Sequence, residues 1–579
     1  MNAKLRNIGS GLLIFLLGCL VYANGLNVQG FEFRDDEVFY KKSTQEMVAT
    51  GQILSPKYFG EDRFQKPILY YWFILAAYRL FGVSWFAARI TSCLFAAGAL
   101  VLTWSIAKSL FDRRTGYVSV FILMTMPLFF RHAKNAVPDM ALNFFIVLAL
   151  YLFIRFVEDG HRWRFAAGFF LACGTGFMVK GFAALLFPYL TVILYAVWER
   201  DWSILRDMRF FRGTLLFLAV VLPWFIFMTV IHGSEYIEYM WFRETTDRLL
   251  KVEEGHFVLR KIGDFLRHFG FYVAVLFQQY APWCLVSGGA LVAAYAGCRR
   301  GGEHREPYRF LVLWITTVMV FFSFMYFTIS HYMLVLSTPL AIATAAFVLS
   351  PQPGTRWLAV LMTWLRRHLL FVAYFGLLTV YIFVLLFFGG APLVLAGAVA
   401  ALGVTAGILG IRTPGPVAPV ALLAALLAAV MFQTPYLSQL GLTTHTAWRK
   451  FAGEIHRRDH QPYTVGVASH DLHEKELQIY FPGQRIGKYA NDNEEYTVYM
   501  LRQLFGNKQR VYCLMTEKDY NKYLKDTREP VEIIRQDYML RKRLNIDGGF
   551  FMALLRLDRR TIFHYFMENV VLIKREQSV

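Results

Sequence analysis

Three consecutive carboxylates, Asp35, Asp36 and Glu37, follow the first hydrophobic stretch of the chain, and Lys66 stands just before Pro67 and the aromatic run Tyr70, Tyr71, Trp72. A carboxylate at the top of a membrane span, partly shielded from water, can accept the proton of an attacking hydroxyl. A lysine at the same boundary can hold a phosphate. Charges are costly in hydrocarbon, so their clustering at a membrane face points to a functional site. A solvated loop with an aromatic interface belt explains the same residues about as well from physics alone. Asp36 is the expected catalytic carboxylate, against the alternative of a helix N-cap, since DDEVFY opens a helical pattern. Asp35 suits the cap better, and Glu37 suits the dipole of the same helix.

Further along, Asp139 follows Pro138 at the start of an apolar run, which is an N-cap signature as much as a site. Its basic neighbours Arg131, His132 and Lys134 favour a shared polar cluster. Lys180, in GTGFMVKGF, reads first as a turn lysine whose ammonium reaches the interface. Arg243, Arg248 and Lys251 alternate with Glu244 and Asp247 and could form a solvated, salt-bridged helix. His331 and Tyr332 sit at a span boundary, where a hydrogen-bonded histidine is a better expectation than a metal ligand. What favours function is that these cations share one face with Asp36, as an anionic lipid head group requires. A phosphate held by Lys and Arg at low dielectric is a good leaving group, because the charge developing on it is stabilised.

The elements that position these residues are membrane helices. Of the 579 residues, 56% are hydrophobic, and the mean hydropathy is +0.40. Apolar runs of near-spanning length recur from Ile8 to about Gln433. The net charge of +19 lies largely in short loops, where it sets orientation and attracts anionic head groups, so nucleic acid is not needed to explain it. The N-terminal MNAKLRNIGS and the apolar run after it read as an uncleaved first span rather than a removed signal peptide. Five of the cysteines lie in or beside apolar segments and Cys513 lies in the tail, which builds neither a disulfide framework nor a zinc site.

The basic loops at 112–114, 155–164, 200–212, 299–309, 356–368 and near Arg412 are expected to be cytoplasmic. That requires the segment from Pro67 to Val83 to be interfacial or re-entrant, leaving about thirteen crossings. Among them are Tyr117–Phe130, Gly270–Ala296 and Leu369–Phe388. The loops 27–66 and 232–268, the turn 131–139 and the tail then fall on the outer face. A membrane domain over 1–433 and a soluble domain over 434–579 are expected. In the tail, 463–469, 510–515, 531–536 and 551–557 read as strands, and 474–481 and 495–505 as helices, which together suggest a small α/β domain. It carries no glycine-rich phosphate loop or nucleophile elbow, so chemistry is not expected there.

The run DEVFYKKSTQEMVATGQILSPKYFGEDRFQKPILYYW resembles the start of the bacterial GT-C class glycosyltransferases that include the 4-amino-4-deoxy-L-arabinose lipid A transferase and the protein O-mannosyltransferase-like enzymes. The likeness continues through RHAKNAVPDMALNFF, GTGFMVKGFAALLFP, LPWFIFM, RETTDRLL and QQYAPW, over most of the first 350 residues. The resemblance implies a GT-C fold, an outer-face α/β domain, and sugar donors carried on a polyprenyl phosphate. It places Asp36 on the catalytic Asp, Glu37 on its partner and Asp139 on the second acidic position. Lys66 and Arg248 fall on contacts to the donor phosphate, and Tyr40, Arg131, His331 and Tyr332 are supporting residues. Ile68 replaces the second proline of a Lys-Pro-Pro motif, and FTISHYMLVLSTPLA lacks the lysine and proline of a Ser-Lys-Leu-Pro run. Neither aminoarabinose nor lipid A is therefore assigned.

The expected activity is inverting transfer of a sugar from a polyprenyl-phosphate donor, undecaprenyl phosphate by expectation, to a periplasmic lipid, glycan or protein acceptor at the inner membrane. No cofactor is required; magnesium or manganese would suit hard carboxylate ligands, but no ligand set demands a metal. The competing reading is a transporter or flippase of lipid-linked sugars, which would favour midplane charges and paired repeats. A receptor or scaffold that binds partners through the tail would leave Asp36 and Lys66 unexplained.

Overall fold

The computed structural model describes residues 3–27, 36–240, 257–299, 305–325, 328–349, 356–387, 393–413, 417–439, 444–459, 463–469, 472, 480–481, 486–490, 494–506, 510–525, 531–540, 552 and 559–575. They form two compact units. One comprises 1–27, 39–378 and 402–431, and the other 28–38, 379–401 and 432–579.

The first unit is helical. Among the described residues of the chain, six helices are long and apolar enough to cross a membrane, or up to seven if the bent pair Arg113–Met124 and Pro127–Ala133 counts as one span. This establishes a helical protein of multi-pass character. Tyr117–Phe130, expected as one span, is bent by 71° between those two helices. Pro127 accounts for the break, since it has no N–H to donate and disfavours helix in the residue before it. Gly270–Ala296 likewise divides into the helices Phe257–Gln279 and Cys284–Arg299 around Pro282. Residues 257–268, expected to be loop, are the start of the former helix, and the helix expected from Leu369 begins at Arg356. Leu69–Phe81 is a helix of 13 residues, roughly 20 Å at 1.5 Å per residue and shorter than a bilayer core.

Local signals account for several boundaries. The Ser84 hydroxyl accepts from the Ala87 N–H to open the helix Trp85–Leu110, and Asp112 accepts from the Thr115 N–H at 2.7 Å to open the next. The helices Asp139–Glu158 and Trp163–Lys180 are nearly equal in length and joined by a short turn, so the chain returns to the level at which it left. The helix Phe210–Ile237 packs against the second of these so closely that a Cβ at Gly213 would lie 2.0 Å from the Phe170 ring.

The loop after the helix Asp36–Thr50 is a small hairpin of β1 (Lys57–Tyr58) and β2 (Glu61–Asp62). Its turn residues Phe59 and Gly60 have positive φ, and their N–H groups donate to the Glu46 carboxylate at 2.9 and 3.2 Å. Trp72 and Trp224 donate their indole N–H groups to the carbonyls of Ile53 and Leu54, and Ser55 bonds His232 at 2.9 Å. These contacts tie residues 53–55 to the helices Leu69–Phe81 and Phe210–Ile237.

The second unit contains a five-stranded sheet in the order β4 (Gly487–Lys488), β3 (Tyr463–Val467), β5 (Arg510–Thr516), β7 (Met567–Arg575), β6 (Val531–Leu540). β3 runs parallel to β4 and β5, and β7 runs antiparallel to β5 and β6. Alternation along β5 sends Tyr512 and Leu514 to one core with Trp448, Phe451 and Ile455. Val511, Cys513 and Met515 face the other core with Leu501, Leu504 and Phe505. The expected strands at 463–469, 510–515 and 531–536 and the helix at 495–505 are present with small boundary changes. Residues 473–479 and most of 551–557 lie outside the described residues, and Met552 is helical rather than strand.

Candidate active site

The residues RHAKNAVPDMALN, expected as a turn and a span start, are almost entirely buried. Asp139 is 6% exposed and occupies the first turn of its helix, whose N-cap is Pro138. Its carboxylate therefore makes no cap of its own. Instead Lys180 donates from Nζ to Asp139 Oδ1 at 2.6 Å, and His331 Nε2 lies 3.5 Å from the same oxygen. The helical hairpin brings this about: Asp139 starts one helix, Lys180 ends the other, and antiparallel packing puts both at one level. Each charge also sits at the helix end that favours its sign. Gly181, with φ +106°, ends the second helix immediately after the lysine.

His331 and Tyr332 lie on a 3-10 turn, Ser330–Leu336. Two tyrosines hold it, since the Ile329 N–H donates to Tyr272 Oη at 3.3 Å and Tyr280 Oη donates to the Met333 carbonyl at 2.6 Å. The Tyr332 ring stacks on Phe322 with centroids 4.7 Å apart, and Lys180 Nζ lies 5.6 Å from the Tyr332 centroid. The His132 ring is 6.0 Å from His331, and its Nδ1 donates to the Leu128 carbonyl at 2.9 Å.

These groups border a cavity of about 450 Å³. Its polar lining includes Gln65, Lys66, Asp139, Lys180, His331 and Tyr332. The rest is mostly hydrocarbon and aromatic ring, with Leu142, Phe177, Leu186, Phe225, Phe322 and Val335 among its walls. A mostly apolar chamber with two lysines in its lining suits an amphiphile with an anionic head.

Of the residues singled out from the sequence, Lys66, Asp139, His331 and Tyr332 thus meet at one cavity. Tyr40 is buried, its ring 5.3 Å from those of both Tyr70 and Tyr71. Arg131 donates to Gln279 Oε1 at 3.1 Å. Asp36 is the exposed first residue of the helix Asp36–Thr50 and Glu37 is fully buried beside it. Arg248 lies outside the described residues. Lys180 was not singled out for the site. Its sequence signal was a lysine at the end of an apolar helical run, directly before a glycine. Among the described residues, no group of three or more His, Cys, Asp or Glu side chains is arranged to hold a metal ion.

Residues 65–227 match the family model described as dolichyl-phosphate-mannose-protein mannosyltransferase. The chain is 30% identical over 321 residues to the undecaprenyl phosphate-alpha-4-amino-4-deoxy-L-arabinose arabinosyl transferase 1 of Pseudomonas fluorescens, covering 53% of this chain and 54% of that relative. An uncharacterized protein of Aquifex aeolicus is 25% identical over 338 residues, 58% of this chain and 63% of its own length. The chain therefore spans about half the length of the curated relatives it matches. Among solved structures, ArnT from Cupriavidus metallidurans bound to undecaprenyl phosphate superposes with a TM-score of 0.65 at 17% identity, over 98% of this chain and 97% of that one. The chain has the fold of that structure, and in sequence it resembles the aminoarabinosyl transferases over about half its length and the mannosyltransferase family model over residues 65–227.

Proposed function

We propose that the protein is an inner-membrane glycosyltransferase that moves one sugar from a polyprenyl phosphate, undecaprenyl phosphate in the first instance, to a periplasmic acceptor. The observation that carries this reading is the cavity itself, with Lys66 and Lys180 in a lining that is mostly hydrocarbon and aromatic ring. The partial match to an undecaprenyl-phosphate aminoarabinosyl transferase and the shared fold support it. The reading includes about thirteen crossings, the outer face as the side of reaction, and a division into a membrane domain over 1–433 and a periplasmic domain over 434–579.

In the reaction, the acceptor oxygen attacks the anomeric carbon of the donor sugar from the face opposite the phosphate. The carbon–oxygen bond to the phosphate breaks with inversion, and polyprenyl phosphate leaves. Asp36, with Glu37 beside it, takes the proton of the acceptor hydroxyl. Lys66 and Arg248 carry the charge that grows on the departing phosphate. Asp139 holds Lys180 and His331 in place at the cavity, and Tyr40, Arg131 and Tyr332 support the surrounding walls.

The test is turnover of a panel of radiolabelled polyprenyl-phosphate sugars by purified protein with a membrane extract as acceptor source. Transfer by wild type that Asp36→Asn and Lys66→Ala both abolish is the expected result. Binding or movement of the lipid across vesicles without any sugar transfer would replace this reading by a transporter.

A further inference from the structure

A second cavity, of about 330 Å³, lies on the other side of the helix Arg305–Phe324 from the first. Phe321, Phe322 and Met325 border the first cavity, whereas Ile315, Thr316, Met319 and Val320 border the second. Its remaining walls come from the helices Phe257–Gln279 and Cys284–Arg299, with Leu340 and Tyr280 at its inner end. Unlike the first cavity, it has no Lys, Arg, His, Asp or Glu among its described lining residues.

Of the three hydroxyls among its described lining residues, those of Tyr280 and Ser287 are engaged elsewhere, and the third belongs to the exposed Thr316. Tyr280 donates to the Met333 carbonyl and lies 3.0 Å from Ser337 Oγ, and Ser287 donates to the Trp283 carbonyl and lies 2.9 Å from Thr344 Oγ1. Apart from the Thr316 hydroxyl and the Cys284 thiol, the described lining of the groove thus presents hydrocarbon to its occupant. It opens onto the apolar exterior, since Phe269, Phe277 and Val320 of its own wall are exposed. Between membrane helices the surrounding medium is lipid chain, and an unfilled slot would forfeit the dispersion contacts of its walls. The volume is about twice the ~150 Å³ of an apolar cavity that takes a six-carbon ring, which leaves room for roughly a dozen chain carbons.

We infer that this groove is a lipid-binding site that holds one acyl chain of a membrane phospholipid. Among its described lining residues no cation is present to select a phosphate monoester, so the occupant is held by its chain and comes from the most abundant chains around it. An isoprenoid phosphate, by contrast, has cations waiting in the first cavity. Tyr280, at the inner end, also holds the 3-10 turn that carries His331 and Tyr332, so the bound chain packs against a support of the first site.

Gly288 provides the means of testing this. It lines the groove, and a Cβ built on it meets nothing within 4 Å, so a larger side chain there grows into the slot. The full-length protein in phosphatidylcholine nanodiscs with a trace of a diazirine-tailed phosphatidylcholine is photolysed, and the adducts are mapped. Adducts should concentrate on 269–291 and 315–320, and Gly288→Leu should reduce them by about tenfold, the ratio that a single filled site gives. Adducts on the exposed Leu12 and Leu16 should be unchanged. An even spread of adducts over all apolar helices in wild type would overturn the proposal, as would an unaltered map in a folded Gly288→Leu protein. So would displacement of the groove adducts by undecaprenyl phosphate at an equal mole fraction, which would assign the groove to the isoprenoid chain.

Discussion

Lys180 Nζ stands 2.6 Å from Asp139 Oδ1 in the lining of the larger cavity, and both side chains are withdrawn from water. A buried pair of this kind adds little beyond what desolvation costs, but removing one partner takes from the other its nearest counter-charge. Lys180→Ala or Asp139→Ala should therefore destabilise the protein by about 3–5 kcal/mol. The double substitution should cost less than the sum of the two. Thermal unfolding in detergent, run as a double-mutant cycle, checks this; strictly additive losses would show the pair to be uncoupled.

Lys66 borders the same cavity and in the proposed reaction meets the donor phosphate. A hydrogen bond to a charged group contributes about 1.5–3 kcal/mol, so Lys66→Ala should weaken binding of undecaprenyl phosphate by roughly 10- to 100-fold. Binding of undecaprenol, which lacks the phosphate, should change little. Isothermal titration in detergent separates the two, and equal losses for both lipids would remove Lys66 from the phosphate site.

The apolar body of the cavity should read chain length. Leu186 lines it and is partly exposed to it. Leu186→Trp fills that space, and overfilling costs about 1–3 kcal/mol. The substitution should weaken undecaprenyl phosphate far more than a short-chain isoprenyl phosphate such as geranyl phosphate. An equal effect on the two would mean that the chain lies elsewhere.

In the second unit, Asp459 is buried between β5 and β7, where Arg510, Tyr512 and Lys574 meet its carboxylate. Burial by itself raises this carboxyl, but the hydrogen bonds from Tyr512 and Arg510 and the Lys574 charge bring it below the usual value. A carboxyl depressed in the folded state stabilises fully above its unfolded value, near ~3.9, and loses that contribution as pH falls through the folded value. Acidification below about pH 4 should therefore weaken the sheet. Asp459→Asn should lower stability at neutral pH and flatten the acid dependence. Denaturant unfolding followed at several pH values measures both slopes, and an unchanged acid slope in the variant would contradict the assignment.

Much of this arrangement was legible in the sequence because it rests on local signals. The apolar runs and the strand at 510–515 each follow from residue type and spacing. Asp139, Lys66 and His331 stood out as charged or titratable groups beside hydrocarbon, and they do meet at one cavity. Lys180 was harder to read. Its partner lies 41 positions away and is met only because two helices of similar length pack antiparallel. The breaks at Pro127 and Pro282 were written in the sequence, but hydropathy averaged over a window passes across a single proline. β7 carries no local signal of its place in the sheet: its partners β5 and β6 precede it by tens of residues, and only the register of the sheet shows that Val571 and Ile573 complete a core.

The central claim is that a sugar leaves a polyprenyl phosphate in this protein. The most direct measurement is release of undecaprenyl phosphate from an undecaprenyl-phosphate sugar by purified protein and acceptor extract, followed by phosphorus resonance or by chromatography. Wild type should release it in step with sugar appearing on the acceptor, and Asp36→Asn should bind the same donor without releasing it. Donor that is bound by both proteins and recovered intact from both, with lipid crossing the vesicle wall, would contradict the account.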